Sequence, residues 1–241
     1  MTAFLRQVLT EKGGWTGFAL VLLILVLAVI GPSMSSDPNK IDVWARFQGP
    51  DLSHVMGTDN LGRDVFARVS TGTRTAIVTA VIVVGLALTA GLFLGMIAGY
   101  LGGMVEGAVV MLFDIISSFP IYILIFAVVA LYGAGLDKLI GIMALVFTPQ
   151  FGRMARAQML ALRQRSFIQV ERLMGLSTFR ILILHVLPNV IRPLIVVAGM
   201  TIPAAINVEA AISFLGMGVQ PPNATLGTQI RDGYVFLDQS W

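Results

Sequence analysis

Residues 75–105 read TAIVTAVIVVGLALTAGLFLGMIAGYLGGMV, a run without one charged side chain. A helix rises 1.5 Å per residue, so about 20 apolar residues cross the roughly 30 Å of hydrocarbon in a bilayer. This run is long enough to do so with residues to spare, and its reading decides the fold. Four further apolar stretches surround it. Gly13–Ser36 is closed by Pro32. Gly107–Leu136 is interrupted only by Asp114. Leu139–Gly152 is short, and spans if Lys138 snorkels at one end while Arg153 and Arg156 snorkel at the other. Pro188–Gly218 carries Arg192 near its start and Glu209 toward its end. The expectation is an all-α membrane protein, a multi-span helical bundle with five visible spans.

Composition agrees. Of 241 residues, 56% are hydrophobic and 12% charged, about half the charged share of a soluble domain. Zero cysteines exclude a disulfide framework, a zinc–thiolate site, an iron–sulfur cluster and a cysteine nucleophile. The net charge of +3 resides between apolar runs, where membrane orientation explains it better than nucleic acid, and no nucleic-acid partner is expected.

Basic residues near span ends set the orientation. Arg153, Arg156, Arg163, Arg165, Arg172 and Arg180 face one acid, Glu171, between the fourth and fifth stretches, which marks that side as cytoplasmic. Counting back through alternate crossings puts the N-terminus inside. The chain then divides into residues 1–36 with the first span, an extracytoplasmic loop 37–74, and a transmembrane region 75–241. The loop carries Lys40, Arg46, Arg63, Arg68 and Arg74, in conflict with the rule. Trp15, Tyr100 and Tyr132 fall at expected interfaces. Arg6 and Lys12 ahead of an apolar run also resemble a cleavable secretion signal, although four later spans make the membrane reading independent of it; an uncleaved helix is the favoured reading. Five spans leave residues 219–241 outside, an odd number of crossings.

Chemistry on a substrate has no visible seat. The chain lacks a Gly-x4-Gly-Lys-Ser/Thr loop and a His-Glu-x-x-His pair, and His54 and His185 are its only imidazoles. No catalytic residue, metal site or bound cofactor is expected. Gly91, Gly95 and Gly99 form two small-xxx-small steps on one helical face, suited to internal packing or to a subunit interface. Pro120 and Pro203 remove backbone donors in mid-span and are expected to kink the chain. Asp114 and Glu209, ionisable within apolar stretches, are pathway or interface candidates, or else satisfied structural groups. As relay carboxylates they would suit the alternative of an ion-coupled secondary transporter.

Between the fourth and fifth stretches, Ser166 and Gln169 have capping-box spacing and Gly175 is a helix stop. A surface helix of about eight residues is expected over 166–175, with Phe167, Ile168, Val170, Leu173 and Met174 giving it more apolar surface than one lipid-facing stripe needs. A protein partner or a lipid surface would cover it.

At these residues the chain resembles the permease subunits of ATP-binding-cassette importers of the oligopeptide, dipeptide and nickel class. The family signature is Glu-Ala-Ala, three residues, Gly, nine residues, a hydrophobic position and x-Leu-Pro. Here Gly175 is followed after nine residues by His185-Val186-Leu187-Pro188, while Gln169, Val170 and Glu171 occupy the Glu-Ala-Ala positions. Gly57-Thr58-Asp59-Asn60-Leu61-Gly62-Arg63-Asp64 is similar to the sequence after the first span of these permeases, and Glu209 to Pro222 to their fifth-span ending and outer loop. The resemblance implies a non-enzymatic half of a pore in the prokaryotic inner membrane. Its partners would be a second homologous permease, two ATPase subunits holding ATP and Mg, and an extracytoplasmic solute-binding protein. Coupling to the ATPases would run through Ser166, Phe167, Gln169, Val170, Glu171, Gly175, Leu187 and Pro188. Peptides are the first choice of cargo and nickel or metal chelates the second. The family has one more helix after the outer loop, so the odd count implies a truncated chain or an incomplete sequence.

Overall fold

In an apolar medium a backbone has only its own groups to bond with, so long runs of Val, Leu, Ile, Ala and Gly become helices. The computed structural model describes residues 12–34, 37–165, 168, 174 and 176–238. The helices are α1 (Lys12–Met34), α2 (Val65–Leu101), α3 (Gly103–Ser117), α4 (Ile121–Tyr132), α5 (Leu136–Arg163), α6 (Thr178–Ile181), α7 (Leu187–Phe214) and α8 (Leu226–Val235). A 3-10 turn covers Val43–Ala45, and a π turn, Leu182–Val186, joins α6 to α7. Among the described residues β-pairing is limited to one isolated antiparallel bridge, Thr58 with Asp64.

Three helices, α1, α2 and the α7 segment, are long and apolar enough to cross a membrane, and α3 with α4 make a fourth if a broken pair counts as one span. The expected third span is therefore not a kinked rod. Pro120 ends it: α3 stops at Ser117, Pro120 caps α4, and the two axes differ by 82°. Pro203, in contrast, lies inside α7. Nor does Pro32 close the first helix, which runs on to Met34. The second helix starts at Val65, ten residues before the apolar run, because the Asp64 carboxylate accepts from Ala67 N at 2.7 Å and caps it. The expected fourth span continues past Gly152 to Arg163, about 42 Å of helix, but it is not among the helices apolar enough to cross, so at most four of the five expected spans are found among the described residues. Its inner charges do not snorkel. They pair with acids of α3.

The chain forms two units, residues 1–78 with 213–241, and residues 79–212. In the first, α1 is exposed along most of its apolar surface and buries Ala28 and Gly31, the latter against Ser70 of α2. The loop from Asp37 to Asp64 has only the short 3-10 turn and the one bridge as regular structure. Asp37, Asp42, Asp51 and Asp59 each accept through Oδ1 from the backbone N–H two residues on, at 2.8–3.1 Å, which locks a chain of Asx turns. At α8 the Thr225 hydroxyl and the Thr228 side chain cap reciprocally, and the start of that helix rests on Gly72 of α2, where an added methyl group would lie 2.9 Å from the Thr225 carbonyl carbon.

In the second unit, the glycine stripe serves internal packing. A methyl group at Gly91 would lie 2.6 Å from Phe151 Cβ, one at Gly95 would strike the Gly152 carbonyl oxygen, and one at Gly99 would lie 2.8 Å from Met159 Cβ. So α2 and α5 meet backbone to backbone, gaining dispersion contacts that lipid cannot match. Gly152 in turn leaves the space that the buried Phe113 ring of α3 fills.

This packing predicts that Gly95→Ala destabilises the purified protein by about 1–3 kcal/mol, the usual range for overpacking. Gly85→Ala, with nothing within 4 Å of the new methyl group, should leave the thermal midpoint in detergent unchanged; equal midpoints for the two variants would contradict the α2–α5 contact.

Candidate functional site

The outer motif is a structural knot. Gly57 and Gly62 have φ of +71° and +73°, conformations glycine adopts without penalty, and a side chain at Gly62 would run into the Asp42 carbonyl. Thr58 donates its hydroxyl to the Ala45 carbonyl and accepts from Gln48 N at 2.9 Å. Asp59 is the centre. Its Oδ1 accepts from Leu61 N and Arg63 N, and its Oδ2 from Arg63 Nε at 2.6 Å, with Arg68 Nε at 3.7 Å. Arg63 Nη2 also reaches Asp232 Oδ2 of α8 at 3.4 Å. Arg68 donates to the Pro38 carbonyl at 3.1 Å, and with the Gln229 amide oriented to satisfy both groups, Gln229 accepts from Arg68 Nε at 2.8 Å. The second acid, Asp64, holds His54 Nδ1 at 2.8 Å besides capping α2. Asp51, at the loop surface, has a carboxyl held below the ordinary range by the Ser53 hydroxyl and then the His54 N–H.

Two of the five basic residues that conflicted with the orientation rule are thereby accounted for. Arg63 and Arg68 are buried and face two acids, Asp59 and Asp232. The loop's composition predicted neither Asp232 nor Gln229 as partners, because they lie more than 160 positions away in the chain.

In the second unit, α3 and α5 run antiparallel and share a ladder of two ion pairs. Glu106 binds Arg156 through both Nε and Nη2. Eight residues along α3, Asp114 Oδ1 accepts from Arg153 Nη2 at 2.9 Å, and the same nitrogen lies 3.1 Å from Ser117 Oγ. Asp114 is thus committed to a cation rather than standing alone as a relay carboxylate. Glu209, on α7, is fully buried. The cross-helix spacing that brings the two acids of α3 to the two arginines of α5 has no signal in sequence without a known packing partner.

Of the coupling residues, Ser166, Phe167, Gln169, Val170, Glu171 and Gly175 lie outside the described residues. Around them, Ile168 is buried and bonds through its N–H to the Arg165 carbonyl at 3.1 Å, while Met174 is exposed. Leu187 and Pro188 open α7. Immediately before them the π turn is closed by the Leu187 N–H to the Leu182 carbonyl, and Asn189 Nδ2 caps the His185 carbonyl at 2.6 Å. Helical backbone is therefore continuous from Thr178 to Phe214. Beyond it, Gly216 takes φ of +79° and its N–H bonds to Ser213 O, so the second outer motif is a helix stop.

Residues 91–237 match the model of the family described as the inner membrane component of binding-protein-dependent transport systems. The chain is 36% identical over 229 residues to a probable D,D-dipeptide transport system permease protein of Escherichia coli, covering 94% of this chain and 76% of that one. It is 34% identical to a dipeptide transport system permease protein of Alkalihalophilus pseudofirmus, covering 98% and 78%. It is 35% identical to a nickel transport system permease protein of Escherichia coli, covering 92% and 82%. A solved chain of the MetNI methionine ABC transporter, in an inward-facing conformation, superposes with a TM-score of 0.57 over 70% of this chain and 81% of that one at 19% identity. At that identity the likeness is one of fold.

The buried network makes a graded prediction. Asp59→Ala leaves two shielded guanidinium groups against one acid and should cost about 3–5 kcal/mol, whereas Asp37→Ala, at an exposed turn, should cost under about 1 kcal/mol. Thermal unfolding of the two variants, followed by protease cutting within 37–64, measures the difference.

Proposed function

The chain belongs to the family of binding-protein-dependent transport system inner membrane components, as the permease subunit of an ATP-driven ABC importer, and from that membership we propose its orientation, coupling and cargo. The N-terminus is cytoplasmic, the Asp59 knot and α8 are extracytoplasmic, and the basic connection that follows α5, from Arg163 to Arg180, is cytoplasmic. One half of the translocation pathway comes from this subunit and the other from a second, homologous permease. Two ATPase subunits, which hold ATP and Mg, sit on the inner side, and a solute-binding protein delivers cargo on the outer side. This subunit carries out no chemistry. The cargo is a short peptide, in keeping with relatives named for dipeptide transport; a nickel chelate is the second reading, favoured by the relative named for nickel.

The observation that carries the coupling mechanism is the unbroken helical path from Thr178 to Phe214. A helix transmits axial displacement, whereas a loop dissipates it. Closure of the ATPases on ATP pushes the segment 166–175, contacted through Ser166, Phe167, Gln169, Val170, Glu171 and Gly175, and the push passes through Leu187 and Pro188 into α7. Differential contacts in the two positions of that segment bias an inward-open and an outward-open state, and hydrolysis removes the bias.

Two glycines inserted between Ser177 and Thr178 should leave co-purification of the ATPase within twofold of wild type while reducing binding-protein-dependent uptake at least tenfold. Gly175→Pro should weaken ATPase docking or uncouple hydrolysis from uptake. Normal docking and normal uptake in both variants would overturn the coupling path. Because the chain has no cysteine, Leu52→Cys, at a fully exposed position, reports the orientation: an impermeant thiol reagent should label it in spheroplasts and Gln164→Cys only after lysis.

A further inference from the structure

Counted from the α2–α3 turn, which the proposed orientation puts at the inner edge of the apolar layer, α3 and α5 both carry the Asp114–Arg153 pair well into that layer. On α3, Asp114 lies eleven residues past Gly103, about 17 Å along the axis and close to half of a roughly 30 Å hydrocarbon layer. On α5, Arg163 reaches the Tyr100 carbonyl at 3.4 Å at the end of α2, which marks the same boundary. Arg153 lies ten residues further in, about 15 Å. The other rung, Glu106–Arg156, sits one to two turns from that boundary.

Yet the deep pair is open on one side. The side chains of Arg153 and Asp114 retain 46% and 63% exposure, while those of Arg156 and Glu106 retain 33% and 22%. Lipid is an unfavourable neighbour for two ions at that depth, so the open side belongs to water or to protein. The helix ends there too. Ser117 closes α3, the chain turns by 82° into α4, and the Ser117 hydroxyl shares Arg153 Nη2 with Asp114. Helices interrupted at membrane depth are tolerated where they are buried in protein or line a water-filled cavity, and the exposure of this pair favours the cavity.

We propose that Asp114, Ser117 and Arg153 form a contact site on the wall of the translocation pathway for a zwitterionic solute. The pair opens to take an ammonium group on Asp114 and a carboxylate on Arg153 and Ser117, then closes behind it. Exchanging one ion pair for two leaves every charge compensated both before and after the solute binds. The open Asp114 carboxylate and the planar guanidinium are matched to the two ends of a free peptide. The proposal rests on the reading of short peptides as cargo.

Ser117→Cys in the otherwise cysteine-free chain tests it while keeping the ion pair. The complete importer in proteoliposomes is treated with a small, positively charged methanethiosulfonate. Labelling should be at least tenfold faster than for a cysteine at lipid-facing Leu23 of α1, and saturating dialanine should slow it at least threefold, while N-acetyl-dialanine amide has no effect. Absence of labelling in every nucleotide state, as for a side closed by the companion permease, overturns the site. So does labelling that dialanine leaves unchanged in a complex whose unaltered form transports dialanine. An unaltered complex that moves no dipeptide overturns the cargo reading and the site with it, and the uptake assay separates that case from the others. As a second readout, Asp114→Asn and Arg153→Gln should each lower uptake at least tenfold, with ATP hydrolysis stimulated by the loaded binding protein staying within twofold of wild type. Equal loss of both activities would mark the pair as a strut.

Discussion

A charge buried in protein or set at membrane depth has to meet an opposite charge, and each unit of this protein is organised around that constraint. In the first, Asp59 and Asp232 balance Arg63 and Arg68, and the loop, the start of α2 and the whole of α8 are gathered by those four groups. In the second, Glu106 and Asp114 balance Arg156 and Arg153, which lets α5 carry arginines where apolar residues would otherwise be needed. Removing either set would leave the hydrophobic packing without its alignment. Apolar contacts fill space without specifying register, whereas a pair of ions on facing helices fixes one.

Close approach of backbones supplies the complementary attraction. Gly91, Gly95 and Gly99 remove the side chains that would hold α2 away from α5, and Gly152 does the same for Phe113. The two devices are coupled on α5: Gly152 and Arg153 are neighbours, so the residue that admits the aromatic ring sits beside the residue that pairs with Asp114. Tight packing there sets where the guanidinium stands, which is what a site for a charged solute needs.

The apolar runs were legible as helices from composition alone, because burial of unsatisfied backbone is too unfavourable for any other outcome. Thr75 begins the uncharged run but Asp64 begins the helix; a hydropathy reading sees the run and misses the cap. Pro120 was read as a kink, yet with Ser117 and Ser118 beside it the helix breaks outright. Arg153 and Arg156 were read as snorkelling to a surface because their partners lie some 40 to 50 positions earlier in the chain. The motifs around Asp59 and Pro188 were visible, but the work that Asp59 does depends on Asp232 and the Arg68 partner Gln229, which only the fold brings near. Local chemistry was readable; long-range pairing was not.

The π turn at Leu182–Val186 has a consequence of its own. It fits one more residue into a loop of helix than an ordinary turn holds, so everything from Leu187 onward is rotated, in effect, by about 100° relative to an unbulged α-helix. The azimuth of α7 is thereby decided outside α7. Deleting one residue from that turn would wind it back to regular geometry and swing the buried flank, with Val190, Leu194, Thr201, Ala205, Val208 and Glu209, round toward the outside, with no change in the letters of α7 itself.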